Sequence, residues 1–395
     1  MKDNPKENGL ILDGHKLMWH KERVRDWLNG KRIAPITIDC ALTRACNYNC
    51  IYCYGQLQEN QRKILTKEII FRFLDDCSEI GVKGISFISD GESQCSPHIY
   101  DAIIYGKSKG IDMAMGTNGA LLKKERLQEI LPCLTYLRFN ISAGEPQSYA
   151  KIHGTTEENF FKVKEILREC VRIKKEKNLG VTIGLQMVLL PEYIDQIIPL
   201  AKLGKELGVD YFVIKHCSDD ETGSLKVDYE KYFNKELKDK INEAESLSNE
   251  NYLVKAKWSK ILSGGKRKYS KCHGAPFLLQ LSGSGLVAPC GSFFSEKYKR
   301  FHIGNIAEKS FKEIWESERY WEVMKDITSD NFNAKTDCAK LCLQHKVNEF
   351  LWDLKNGDID LEQPAGEPPE HINFIKKRKM DFISQIFIKN LKNIV

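Results

Sequence analysis

From Pro35 to about Lys215, short runs of β-branched and aromatic residues alternate with segments whose apolar positions recur at helical spacing. This pattern predicts repeated strand–helix units around a parallel sheet. Six strands are expected: Ile36 to Leu42, Gly84 to Ser89, Ile111 to Gly116, Tyr136 to Ser142, Val181 to Leu189 and Tyr211 to Lys215. Phe160, Val163, Leu167, Cys170 and Val171 trace the buried face of one intervening helix, and Gly81, Gly110 and Gly208 stand where helices should stop. Six such units joined by right-handed crossovers wrap into an open, partial barrel, whose sites lie at the C-terminal ends of the strands. The fold class is therefore α/β, a partial (β/α)6 barrel of the TIM type spanning residues 35–217, preceded by an N-terminal extension at 1–34.

Beyond Cys217 the pattern changes. An acidic turn, Ser218-Asp219-Asp220-Glu221, leads into a strongly charged helical segment from Tyr229 to about Glu250, read as part of a helical connector at 218–268. Residues 269–350 are rich in Gly and Cys but too irregular for a large core of their own, so a metal group is expected to staple them. The tail, 351–395, carries Lys376-Lys377-Arg378-Lys379 and an amphipathic stretch with Phe382, Ile386 and Leu391. That stretch is expected to dock on its own protein rather than on a membrane surface.

Composition narrows the class. The formal charge of +6 is small for 395 residues and does not suggest a nucleic-acid binder. No apolar run reaches a membrane span and the first residues lack a signal-peptide core, so a cytoplasmic location is expected. Thirteen cysteines are many for such a protein, and in a reducing compartment close thiol spacing points to metal ligands before disulfides. Cys46, Cys50 and Cys53 form a tight group directly after the first strand, and Cys272, Cys290, Cys338 and Cys342 a spread group near the end. Three soft ligands on one loop suit an iron–sulfur cluster with one iron left open, with zinc as the alternative at both groups.

The C-x3-C-x2-C loop, with Tyr52 just before its last Cys, resembles the signature of the radical S-adenosylmethionine superfamily. The resemblance implies that the open iron of a [4Fe–4S] cluster binds S-adenosylmethionine and that its cleavage yields a 5′-deoxyadenosyl radical that takes hydrogen from a substrate. It further implies cofactor contacts from Tyr52, from Asp90, Gly91 and Glu92 after the second strand, from Thr117 and Asn118 after the third, and from Asn140 and Ser142 after the fourth. Asp90 stands where the family usually has Gly, and an acid there is expected to face an ammonium group. The spacing of Cys272, Gly285 and Cys290, followed by Gly304-Asn305-Ile306 and Glu313-Ile314-Trp315, resembles a twitch domain, the shortened relative of the SPASM domain. Four cysteines saturate one auxiliary [4Fe–4S] cluster, unless His345 joins them, which makes two clusters per chain. A flavodoxin or ferredoxin is the implied reductant.

Cys217, at the end of the sixth strand, is the expected hydrogen donor of an epimerase, with Cys95 as a second candidate. The competing reading is dehydrogenation dependent on the auxiliary cluster, assisted by Lys215 and His216. The polar strand end and the opening segment Lys16-Leu17-Met18-Trp19-His20, with Arg23, Trp27 and Gly30, suggest a small carbohydrate-type substrate. The short leader of about 35 residues speaks against a ribosomal peptide. A non-catalytic iron–sulfur carrier is the reading from outside enzymology.

Overall fold

The computed structural model describes residues 12–58 and 64–362, so the expected tail helix lies outside the described residues. Ten strands form one sheet: β1 (Thr37–Cys40), β2 (Gly84–Phe87), β3 (Asp112–Thr117), β4 (Leu134–Asn140), β5 (Thr182–Leu189), β6 (Tyr211–His216), β7 (Leu253–Ala256), β8 (Leu278–Leu281), β9 (Leu286–Ala288) and β10 (Gly304–Asn305). Their order is β10-β9-β8-β1-β2-β3-β4-β5-β6-β7. Every pair from β8 through β7 is parallel, and β9 and β10 continue the sheet antiparallel. The six expected strands are all present within two residues of their expected ends.

Helices cover the outer face. Glu157–Glu176 buries Phe160, Val163, Leu167 and Cys170, as its spacing requires. Lys67–Ile80 starts at Thr66, whose side chain accepts from the Ile69 N–H, and stops at Gly81 with φ of 89°. The outward residues Ile38, Cys40, Ile85, Phe87, Leu137 and Phe139 are fully buried against this layer. Their inward neighbours Asp39, Ser86, Tyr136 and Arg138 are only half-buried. A parallel sheet covered on both faces would read as continuous apolar runs, so this alternation in β1, β2 and β4 marks that part of the concave face as the wall of a polar cavity, while β3 and β5 are buried along nearly their whole length.

The sheet adds two features to the expected domains. The 218–268 stretch holds the expected helix, Lys235–Glu245, but also β7, which pairs with β6 at Tyr211↔Leu253 and extends the barrel by a seventh strand. The cysteine-rich segment does not carry a sheet of its own, because β8 pairs along β1 from Thr37↔Leu278 to Cys40↔Leu281. The opening segment is scaffold: Leu17 and Val24 join Phe277, Val347 and Leu351 in a second small core. Arg23 donates to the carbonyls of Ala34, Pro35 and Gly81. Packing thus accounts for these residues, and the carbohydrate cue drawn from them lapses. Among the described residues no helix is long and apolar enough to cross a membrane.

Candidate active site at the barrel mouth

The three-cysteine loop leaves β1 through Thr43 and Arg44, and two glycines press on it. A Cβ on Gly91 would lie 2.2 Å from the Thr43 carbonyl oxygen, and one on Gly283 would lie 2.1 Å from the Thr43 carbonyl carbon. Only glycine fits either position, and Gly91 also needs its φ of 78°. Asp90 completes the clamp by accepting from the Ser282 hydroxyl at 2.7 Å and the Gly283 N–H at 2.8 Å, while pairing with the Arg44 guanidinium at 3.2 Å. Arg44 in turn donates to the carbonyls of Gly55 and Gln58 beyond the last cysteine. Asp90 therefore faces the auxiliary hairpin and not an ammonium of the cofactor, because these partners already occupy its carboxylate.

Cys46 is exposed and Cys50 and Cys53 are half-buried. Burial, together with the charge of the neighbouring thiolates, pushes Cys46 up to about 11 and Cys50 up to about 12. Beneath the loop lies His153, a residue the sequence reading missed. It is fully buried, and its Nε2 accepts from the Ser142 N–H at 3.0 Å. Nδ1 must then carry the proton, which it can donate to the Cys50 Sγ or the Tyr52 hydroxyl, each 3.3 Å away. Burial pushes the ring down to about 3, which keeps it neutral. A histidine seven residues into a helix gave no sequence signal, since only the fold brings it under the loop.

At the end of β2, Glu92 is buried, and its carboxylate accepts from the Thr117 hydroxyl (2.7 Å), the Asn118 N–H (2.8 Å) and the Gln94 N–H (3.2 Å). Burial still raises its pKa against these hydrogen bonds, and no cation is among the causes of its shift. A buried carboxylate in that state is suited to an incoming ammonium group. Asn118 donates to the Asn47 side chain of the cluster loop. Asn140 faces into the barrel and accepts from Gln186. Ser142 is fully buried and bonded to Tyr52 and the Val188 N–H, so it supports the loop rather than opening onto a ligand.

The β6 end separates the catalytic candidates by strand parity, since alternate side chains face opposite ways. Lys215 points into the barrel and is half-buried, and burial with the charges of Arg138 and Lys260 pulls it down to about 7. His216 points outward, where it packs on Tyr232 at 5.4 Å and is 3% exposed. It therefore cannot assist at the cavity. Cys217 is held by N–H bonds to the Leu189 carbonyl and the Tyr232 hydroxyl. Its thiol is pushed up to about 12 by burial and by Asp219, but the residue is 0% exposed. Cys95 sits on the far side of the loop, near Cys46 and Glu92.

The four later cysteines gather around the β8–β9 hairpin, whose turn uses Gly285 at φ of 83°. Burial raises Cys272, Cys290 and Cys338, and the charge of Cys342 is among the further causes for each. Asn348 donates to both Cys272 Sγ (3.8 Å) and Cys342 Sγ (3.6 Å). His345 is bonded to the Tyr269 hydroxyl through Nδ1 and lies 3.4 Å from Glu349 through Nε2, which excludes it as a further ligand here. Both sets are made of thiols, the soft donors that an iron–sulfur cluster takes, three at the barrel mouth and four at the hairpin. Between the two sets lies Tyr54, whose hydroxyl is raised by burial and by the charges of Cys290, Cys53 and Cys217.

A partial barrel with thiols at its mouth and a cysteine-stapled hairpin on its first strand defines an iron–sulfur enzyme of the S-adenosylmethionine-cleaving type. A family model described as the radical SAM superfamily matches residues 41–204, and one described as an iron–sulfur cluster-binding (SPASM) domain matches 272–343. The chain thus carries a radical SAM domain followed by a C-terminal SPASM domain, and its cofactors are S-adenosylmethionine and iron–sulfur clusters. It is 24% identical over 315 residues to an AdoMet-dependent heme synthase of Methanosarcina barkeri, covering 74% of this chain and 85% of the relative. It is 23% identical over 320 residues to a tungsten-containing aldehyde ferredoxin oxidoreductase cofactor-modifying protein of Pyrococcus furiosus, covering 75% and 85%. The structure of Streptococcus suis SuiB bound to S-adenosylmethionine shares the fold at a TM-score of 0.59 and 17% identity, over 78% of this chain and 72% of that one.

Proposed function

We propose that this radical SAM enzyme oxidises a small polar substrate held inside the barrel, with Lys215 accepting the substrate's proton. The observation that carries the reading is Lys215 itself, the titratable group that opens into the cavity from the β6 end with a pKa brought to about 7. When bound, S-adenosylmethionine and the two clusters supply a hydrogen-abstracting radical and a one-electron acceptor. Cys46, Cys50 and Cys53 would hold the first cluster, and Cys272, Cys290, Cys338 and Cys342 the second. Glu92 would take the cofactor's ammonium, Asn118 would brace the loop beside it, and Tyr54 spans the gap between the two thiol sets.

Epimerisation with Cys217 as donor is the second reading. A thiol kept protonated beside Lys215 favours it. Its lack of exposed surface weighs against it, since hydrogen-atom transfer needs contact between sulfur and substrate carbon. Turnover in heavy water separates the two. Oxidation gives a product two hydrogens lighter, with no solvent deuterium on carbon, and survives Cys217→Ala. An isomeric product carrying one deuterium at the inverted carbon would transfer the assignment to Cys217.

Lys215 must be neutral to accept a proton, so kcat/KM should rise with pH through about 7 and level off above it. Lys215→Met should lose that limb and about 10²-fold or more of kcat/KM. A parent profile that is flat from pH 6 to 8 would remove Lys215 from the chemistry. Glu92→Gln should raise the S-adenosylmethionine concentration for half-maximal cleavage by about ten-fold or more, the worth of a charge-assisted hydrogen bond, at unchanged iron content. Equal binding isotherms for variant and parent would place the ammonium elsewhere.

A further inference from the structure

The concave face of the sheet carries more positive than negative charge. Register places Arg138 of β4 level with Gly116 of β3 and Gly184 of β5, and the two glycines leave its flanks without side chains of their own. The Tyr211 ring lies over Gly184, where a Cβ would stand 2.2 Å from it, and the Arg138 Nη2 lies 3.3 Å from the Cβ position of Gly116. These groups, with Tyr136 donating to Ser86, make the cavity floor. Lys215 projects from the same face one turn of the sheet higher, and Lys257, whose N–H bonds to the Ile214 carbonyl, follows β7 on the same parity. Lys260 stands next to them but shares its charge with Cys342 and Cys290. The acid facing this group from the wall is Asp39, which also accepts from Gln280 at 3.4 Å. Asp13, the other acid within reach of Lys257, is bound to Ser259.

Arg138, Lys215 and Lys257 form no salt bridge among the described residues, and the Arg138 Nε is buried without a hydrogen-bond partner. Burial and mutual repulsion push the Lys215 and Lys257 amines down beside the Arg138 guanidinium, so charging Lys257 is costly unless an anion joins the group. We propose that the barrel interior binds a polyanionic small molecule through Arg138 and Lys257, with Lys215 beside them left to take the proton, so that the substrate carries phosphate or paired carboxylate groups. A planar guanidinium on the floor with an ammonium group above it can hold two or three oxyanion oxygens. This rests on the oxidation reading only in placing the substrate inside the barrel.

The test is calorimetric titration of anaerobically reconstituted protein, saturated with S-adenosylmethionine and without reductant, using pyrophosphate, succinate and neutral inositol as separate probes. Pyrophosphate or succinate should bind at one site per chain and inositol should not, and the better anion tells phosphate from carboxylate. Arg138→Gln and Lys257→Gln should each weaken binding at least ten-fold, whereas Asp39→Asn, which removes the opposing charge, should tighten it several-fold. Lys257→Gln and Asp39→Asn keep the test sharp if Arg138→Gln fails to fold. Absence of anion binding, equal binding of inositol, or indifference to all three substitutions would each overturn the proposal. Because no turnover is involved, failure here is separate from failure of the oxidation reading, which the mass of the product decides.

Discussion

Replacing Cys46, Cys50 and Cys53 together by Ala should leave anaerobically reconstituted protein with about four irons where the parent carries about eight, and with no 5′-deoxyadenosine formed from S-adenosylmethionine. The loss is total because those thiols are the ones gathered at the cavity mouth, next to Glu92. The remaining irons should persist because Cys272, Cys290, Cys338 and Cys342 lie on the hairpin side, with Asn348 bonded to two of them. Iron analysis and product chromatography read the two effects separately. A parent with about four irons and stoichiometric zinc would show that the second site holds zinc instead.

Asp90→Ala should lower stability by about 2 kcal/mol or more, read as a drop in melting temperature of the reconstituted protein. The substitution removes the ion-pair partner of the half-buried Arg44 guanidinium and one acceptor each from the Ser282 hydroxyl and the Gly283 N–H. It should also loosen the cluster loop, because Arg44 anchors that loop on both sides of the cysteines. The expected companion effect is iron lost to a chelator faster from the first site than from the second. A variant that melts with the parent and keeps its iron would mean that the clamp is held by Gly91 and Gly283 alone.

The barrel strands were legible because each pairs a strong β-former run with a clear helical period behind it. β7 was not, since Leu253-Val254-Lys255-Ala256 is too short for its alternation to stand out from the charged stretch before it. The metal groups were legible as spacing, but their supports were not. Asp90 looked like a cofactor contact in a one-dimensional reading, and only the pairing of β8 with β1 brings Ser282 and Gly283 to it. Lys215 and His216 are a different case. Adjacent residues on a strand face opposite sides, so parity alone could have assigned Lys215 to the cavity and His216 to the helix layer. Cys217 shows the opposite limit, because placement at a strand end does not reveal whether a thiol reaches the open space.

The pairing of β8 with β1 also sets an order of events in the making of this protein. Gln280 reaches Asp39 across 241 residues. At 5–20 residues per second, the first strand of the barrel waits roughly 10 to 50 s for its second neighbour to leave the ribosome. During that interval one edge of β1 is an unpaired parallel strand, and Thr43 lacks the Gly283 side of its clamp. Iron loading at the three-cysteine loop should therefore follow completion of the chain, and nascent chains ending before Leu278 should bind little iron and aggregate readily.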